Sequence, residues 1–292
     1  MGSQAAAAAK RPTVGNPTKA GGKRGKKKLS MAERADRHRL YEESVQCVEA
    51  EIDFVDRTFR KLRGRKPASL REDFGGTANT SSEFVRRRRS NTAIAVDLDH
   101  EVQQWGLEHN VGALKPSARD RIRLLNANVL EVDCAKVDVI LAMNFSYWIF
   151  ETRDLLRTYF RRVRAGLVDD GMFMLDAYGG PDSMREMKER TPFGNFTYIW
   201  DQHSYDPITG HCECRIHFSF PDGSRLKNAF TYQWRLWTLP EIREILLDAG
   251  FARVTIYWEG TDEETREGNG EYSPAAHGEA DDAFIVYIVA EK

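Results

Sequence analysis

The chain has 292 residues, 41% of them hydrophobic, enough for one large domain or a domain carrying an embedded insert. The formal net charge is −1 but unevenly spread: residues 1–40 hold 11 Lys and Arg against 2 acids, a net of +9, which leaves about −10 on the remaining 252 residues. A body of that charge is a poor general binder of nucleic acid. No run approaches the ~18 apolar residues of a membrane span, and Ala5 to Ala9 is too short for the apolar centre of an export signal, so a cytoplasmic protein is expected.

Residues 1–30 are rich in Ala, Gly, Pro, Thr and Lys and read as a disordered basic tail, because they cannot bury enough surface to offset their ordering entropy. The run Lys23 to Lys28 fits a solubilising tail, and leaves a nucleic-acid contact open as the alternative. Residues 31–63 carry Leu40, Tyr41, Val45, Val48, Ile52, Val55 and Phe59 at 3–4 spacing and predict a helix ended by Gly64 and Pro67. Strands and helices then alternate: strand Leu70 to Asp73, helix Ser81 to Arg89, strand Thr92 to Asp97, helix Glu101 to His109, strand Arg121 to Leu125. The nearly wholly apolar Val137 to Met143 reads as a central parallel strand, followed by helix Thr152 to Leu167 and strand Met172 to Leu175. Residues 195–237 change rhythm, with aromatic and β-branched residues between turns, and predict an antiparallel insert of three or four strands. Thr238-Leu239-Pro240-Glu241 is a capping-box pattern opening a helix that stops at Gly250. Phe251 to Trp258 and Ala283 to Ala290 read as strands, with an acidic, Gly-rich loop over 260–281 between them. The expected fold is α/β, a Rossmann-like sheet with helices on both faces and an antiparallel β insert.

Two turns carry the chemistry. Glu72-Asp73-Phe74-Gly75-Gly76-Thr77-Ala78 follows the first strand, and Asp97 ends the second. Glycines let backbone N–H groups approach a ligand, and an acid at the next strand tip accepts hydrogen bonds from ribose hydroxyls, so a nucleoside cofactor is expected. The run His211-Cys212-Glu213-Cys214-Arg215-Ile216-His217 invites a metal reading, but in a strand its cysteines and its His and Glu residues fall on opposite faces, and no second cluster completes a ligand set. No metal is expected. The four cysteines form no CxxC pair and fit reduced thiols.

The ordered set of motifs resembles the class I S-adenosylmethionine-dependent methyltransferases over roughly residues 65–290. It comprises the turn Glu72 to Ala78, the acid Asp97, the pair Asn128-Val129 after the third strand and Asn144-Phe145-Ser146-Tyr147 after the fourth. The helix–Gly–strand unit Leu155 to Leu175 and the junction Ala249-Gly250-Phe251 complete it. One departure is clear: the family's acid-x-G-x-G-x-G turn has Phe74 and Ala78 at two glycine places and only Gly76 at the third.

The resemblance implies S-adenosylmethionine as cofactor, with Asp97 on the ribose and Glu72 and Asp73 organising the turn and the methionyl amine. Gly75, Gly76 and Thr77 would give backbone approach, Asn128 and Val129 would flank the adenine, and Leu98 would pack on its other face. Asn144, Phe145 and Ser146 would reach the cofactor from the fourth strand. Tyr147 and Tyr178 are the candidate catalytic residues, with Phe145 and Tyr147 placing π-faces near the sulfonium. Trp200, Arg235 and Trp237 are candidates for the acceptor wall. The segment 31–64 would act as a helical lid over a methyltransferase domain of residues 65–292, with Tyr41 and Gln46 inward. The expected activity is methyl transfer to a nitrogen or oxygen of a small molecule, an acidic mouth favouring a cationic or amine-bearing one. The rivals are an RNA or protein methyltransferase guided by the basic tail, a nicotinamide-dependent oxidoreductase, and a binding module without turnover.

Overall fold

The computed structural model describes residues 29–262, 264 and 268–292; the basic tail, Lys23 to Lys28 included, lies outside them up to residue 28. The stretch expected as one helix is divided into α1 (Met31–Arg34), α2 (Arg37–Val45) and α3 (Val48–Arg63). Local side-chain bonds make the breaks. Ser30 and Glu33 close a capping box at α1, and the Asp36 carboxylate accepts from the His38 and Arg39 N–H groups to start α2. The single apolar stripe therefore serves two partners: Leu40, Tyr41 and Val45 pack on the insert, while Ile52, Phe54, Val55 and Phe59 pack on the main sheet.

Next come β1 (Ser69–Asp73), α4 (Asn79–Arg87), β2 (Thr92–Asp97), α5 (His100–Gly106), α6 (Pro116–Arg119), β3 (Ile122–Asn126), β4 (Val137–Ala142), α7 (Arg153–Ala165) and β5 (Leu167–Gly179). These five strands are parallel. Every residue of β4 is buried, and its neighbours split by parity between two cores. Ile140, Phe173 and Leu175 face α7, whereas Val139, Leu141, Met172 and Met174 face α3 and α4. The one charge in β4, Asp138, is held by Arg65 at 2.7 Å and by the Ala68 N–H at 2.7 Å.

The insert is a four-stranded antiparallel meander, β6 (Met187–Phe193), β7 (Phe196–Tyr205), β8 (His211–Ser219) and β9 (Arg225–Arg235). It starts earlier than the expected residue 195, because β6 is an edge strand with an exposed middle and so lacks apolar alternation. Then follow α8 (Leu239–Asp248), β10 (Arg253–Thr261), β11 (Gly268–Ala275) and β12 (Phe284–Glu291). The capping box of Thr238 and Glu241 forms as expected, and Gly250 ends the helix at φ +100°. The expected loop over 260–281 is corrected: it contains β11, mostly exposed and held by backbone pairing to β10, which no hydrophobic pattern announces.

The large sheet has the order β11-β10-β12-β5-β4-β1-β2-β3, with β12 antiparallel between β5 and β10. From β1 the chain proceeds to β2 and β3 on one side and to β4 and β5 on the other. The order thus reverses at β1, and a crevice opens at the carboxyl ends of β1, β2 and β4. No helix among the described residues is long and apolar enough to cross a membrane.

Candidate cofactor and acceptor site

The turn after β1 takes a left-handed backbone at alternate positions: Phe74 at φ +58°, Gly76 at +48° and Ala78 at +55°. These are the three places where the resembled motif carries glycine. Two are filled here by residues for which that conformation costs about 1–2 kcal/mol. The surroundings hold them: Phe74 packs on Phe150 and Tyr159, with ring centroids 6.0 and 5.7 Å away, and Ala78 is fully buried. The Phe74 ring thus packs into the core cluster beneath the turn, although Phe74 also lines the crevice.

The two acids of the turn divide their work. Asp73 is buried in an ion pair with Arg71, Nε to Oδ1 2.8 Å, and accepts from the Tyr159 hydroxyl at 2.9 Å, so its carboxylate anchors the core. Asp73 also lines the crevice beside Glu72. Glu72 accepts from the Ser81 hydroxyl at 2.6 Å and the Ser81 N–H at 3.0 Å at the start of α4 and lines the crevice. Burial pushes its carboxyl up to about 7 against those hydrogen bonds. Asp97 accepts from the Gly76 N–H at 2.8 Å and from the Asp99 N–H at 2.8 Å, and burial raises it as well. It ties the tip of β2 to the turn of β1.

A cavity of about 530 Å³ occupies this crevice. The turn residues Glu72 to Thr77, Asp97, Asn144, Ser146, Tyr41 and Gln46 line it. Arg37, His38, Val102 and Ile149 join them without having been foreseen. Glu42 was also missed: its carboxylate accepts from the Thr77 hydroxyl at 2.7 Å and from Asn110 Nδ2 at 2.6 Å, bolting α2 to the turn. Gln46 accepts from Asn79 Nδ2 at 3.0 Å beside it.

A second chamber of about 560 Å³ lies between α2, α3, the ends of β4 and β5, and the insert. Tyr41, Met143, Asn144, Tyr232 and Trp234 line both cavities and form the boundary between them. Asn144 and Phe145 are consecutive left-handed residues at φ +57°, held because Asp176 accepts both of their N–H groups, at 2.8 and 2.9 Å. Asp176, at the end of β5, carries the loop between the cavities, and burial pushes it up to about 7. Glu51, on α3, lines the chamber and accepts from the Thr80 hydroxyl at 3.2 Å. Burial, with the charges of Glu72 and Asp176, pushes it up to about 8. Tyr178 and Trp200 also line this chamber, and burial pushes the Tyr178 phenol up to about 12, so it stays a donor at neutral pH.

Six other candidates line neither cavity. Tyr147 is fully buried and donates to the Asp176 main-chain oxygen at 2.8 Å; it lines neither cavity. The left-handed pair before it sends Phe145 to the chamber and Tyr147 to the core. Arg235 lies 3.7 Å over the Trp237 ring and donates to the Glu151 carbonyl and to Glu241, both at 3.2 Å. Strand alternation explains this: Tyr232 and Trp234 take the chamber face of β9, so Arg235 takes the other. Trp237 is buried beside a separate space of about 200 Å³. Val129 belongs to the core, Asn128 accepts from the Leu130 N–H at 3.0 Å in a local turn, and Leu98 is 67% exposed. The apolar alternation Phe230, Tyr232, Trp234 was the signal that would have found the aromatic wall. Glu51 was marked only by an acid flanking the apolar stripe of its helix.

Known structures share this architecture. An S-adenosylmethionine-dependent methyltransferase from Clostridium acetobutylicum matches at 15% identity with a TM-score of 0.62, over 87% of this chain and 96% of that one. An amino pentose methyltransferase from Micromonospora echinaspora, solved with S-adenosylmethionine bound, matches at 13% identity with a TM-score of 0.61, over 87% and 96%. A sugar N-methyltransferase from a Streptoalloteichus species matches at 15% identity with a TM-score of 0.59, over 97% and 99%. No protein-family model matches the chain, and no curated protein matches it. The chain has the fold of the class I S-adenosylmethionine-dependent methyltransferases.

Proposed function

We propose that this protein binds S-adenosylmethionine in the 530 Å³ cavity and transfers its methyl group to a nitrogen or oxygen of a small molecule held in the adjoining chamber. The observation that carries the reading is the turn at the sheet's switch point. Left-handed positions 74, 76 and 78 bring main chain to the cavity wall, with Asp97 bonded to Gly76 at its rim. The donor set suits a nucleoside linked to an amino acid. Asp97 would accept from the ribose hydroxyls, Glu72 would face the methionyl ammonium, Arg37 its carboxylate, and Val102 and Ile149 the adenine. The bound sulfonium supplies an activated methyl group. The amino pentose and sugar N-methyltransferases of similar fold support a small-molecule acceptor.

What the chain's own residues contribute is placement. The boundary formed by Tyr41, Asn144 and Tyr232 sets the acceptor atom in line with the methyl group, and the aromatic walls exclude water. Holding two reactants so aligned is worth about 7–11 kcal/mol. An acceptor that arrives protonated would pass its proton to Glu51 or Asp176, the buried carboxyls of the chamber, once these are ionised, Asp176 above about 7 and Glu51 above about 8. The helical segment 31–64 serves as the roof, since α2 lines both cavities.

Calorimetric titration with S-adenosylmethionine and separately with NADH tests the reading, with Asp97→Ala as the control. Micromolar binding of S-adenosylmethionine, weakened ~10–100-fold in the variant by loss of a charged hydrogen-bond acceptor, is expected. Binding of NADH alone would overturn the assignment.

A further inference from the structure

The chamber next to the cofactor cavity has a charge pattern that selects among acceptors. Four carboxyl groups line it, Glu51, Asp176, Glu189 and Glu259, and among the described residues no Lys, Arg or His does. Glu51 and Asp176 are each more than nine-tenths buried. Negative charge placed in a low-dielectric space without a counter-ion is costly, and a positive guest removes that cost.

The second feature is independent of the acids. Tyr198, Trp200, Tyr232 and Trp234 line the same space from the insert. Tyr232 stacks on Trp234 with centroids 4.3 Å apart, and Trp200 lies 6.3 and 6.4 Å from the two. Such a wall places several π-systems around one volume, surroundings that suit an organic cation. Glu189 is paired directly across the β6–β7 ladder from Trp200, so carboxylate and ring sit side by side. Glu51 joins the two cavities: its Oε2 takes the hydroxyl of Thr80, which lines the cofactor cavity. An ammonium nitrogen drawn to Glu51 therefore stands on the side of the chamber nearest the methyl donor.

We propose that the chamber is a site for an aliphatic ammonium, with Glu51 as its counter-ion, and that the methyl acceptor is accordingly an amine. The second clause rests on the methyltransferase reading; the first does not. An aliphatic alcohol would leave the acidic wall without its partner, and an anionic acceptor would be repelled by it.

The test uses the full chain at pH 9, where Glu51 is ionised and an aliphatic ammonium keeps its proton, and at constant ionic strength, with tryptophan fluorescence as the readout, since Trp200 and Trp234 line the chamber. The probes are cyclohexylammonium chloride and cyclohexanol, which differ in charge while sharing the ring. Saturable binding of the ammonium, roughly tenfold or more tighter than that of the alcohol, is expected from cation–π and ion-pair contributions. Glu51→Gln should weaken the ammonium about tenfold and leave the alcohol unchanged. Equal affinities, or no saturable response to the ammonium, would overturn the proposal. The wild-type comparison decides even if the variant fails to fold. S-Adenosylmethionine is titrated into the same preparation. If it binds and the ammonium does not, the acceptor inference alone fails; if the ammonium binds and it does not, the methyltransferase reading fails and the cation site stands.

Discussion

Ala78 and Asp176 show how single residues hold a strained site in place. Ala78 is fully buried at φ +55°, where glycine is the ordinary occupant. Ala78→Gly relieves about 1–2 kcal/mol of backbone strain but loses a buried methyl group and frees the unfolded chain, ~0.8 and ~0.4–1 kcal/mol. Its melting temperature should stay within a few degrees of wild type. Ala78→Val places a β-branched side chain in the same backbone and a filled core, and should melt far lower; equal melting of the two variants would refute the strain account. Asp176 holds the other strained pair, Asn144 and Phe145, through both of its oxygens. Asp176→Ala leaves two partly buried N–H groups without these acceptors, up to about 1–3 kcal/mol each. Thermal denaturation should show a loss of several degrees, with Asp176→Asn recovering part of it.

At the scale of elements, the site is a meeting of α2, α4 and α5 on one turn. Gly106 lets α5 lie against Thr77: a Cβ there would stand 2.3 Å from the Thr77 carbonyl oxygen. Gly106→Ala should therefore push the turn away, weakening S-adenosylmethionine by tenfold or more in calorimetry while the far-UV spectrum is kept. Unchanged affinity would mean that the turn tolerates the shift. Much of this frame was legible in the sequence, because periodicity and caps are local signals. The strands β1 to β5, the capping box at Thr238 and the turn with Asp97 are written in consecutive residues. What was not legible depends on contacts between distant segments. β6 and β11 have exposed faces and no apolar rhythm, and the helix 31–63 is cut by Asp36, an acid that a periodicity count passes over. The aromatic wall of the chamber was half legible: Trp200 lines it, but the choice between Trp234 and Arg235 depends on which face of β9 meets the chamber, and an alternating strand does not say which.

Across the whole molecule, burial of acids at one site makes stability depend on pH. Glu51, Glu72 and Asp176 are pushed up to about 8, about 7 and about 7, from 4.5, 4.5 and 3.8. The folded chain holds these protons more tightly than the unfolded one. Their contribution is full below the unfolded values and is lost as pH rises through the folded ones. His38, lowered by burial and by Arg37, acts in the opposite direction below its ordinary 6.5. Between pH 6.5 and 8.5 the acids prevail, so the melting temperature should fall as pH rises, by roughly 2–4 °C per kcal/mol. Glu51→Gln should flatten that slope, and a slope of opposite sign would contradict the account of the buried acids.

The two cavities meet at Tyr41, Asn144 and Tyr232, and the proposed chemistry requires the methyl donor to end there. The most direct measurement is a crystal structure of the protein with S-adenosylhomocysteine. The account predicts ribose hydroxyls on Asp97, the amino-acid end along Glu72 to Thr77, and the sulfur facing the acidic chamber through that boundary. A ligand bound elsewhere, or a sulfur turned away from the chamber, would contradict it.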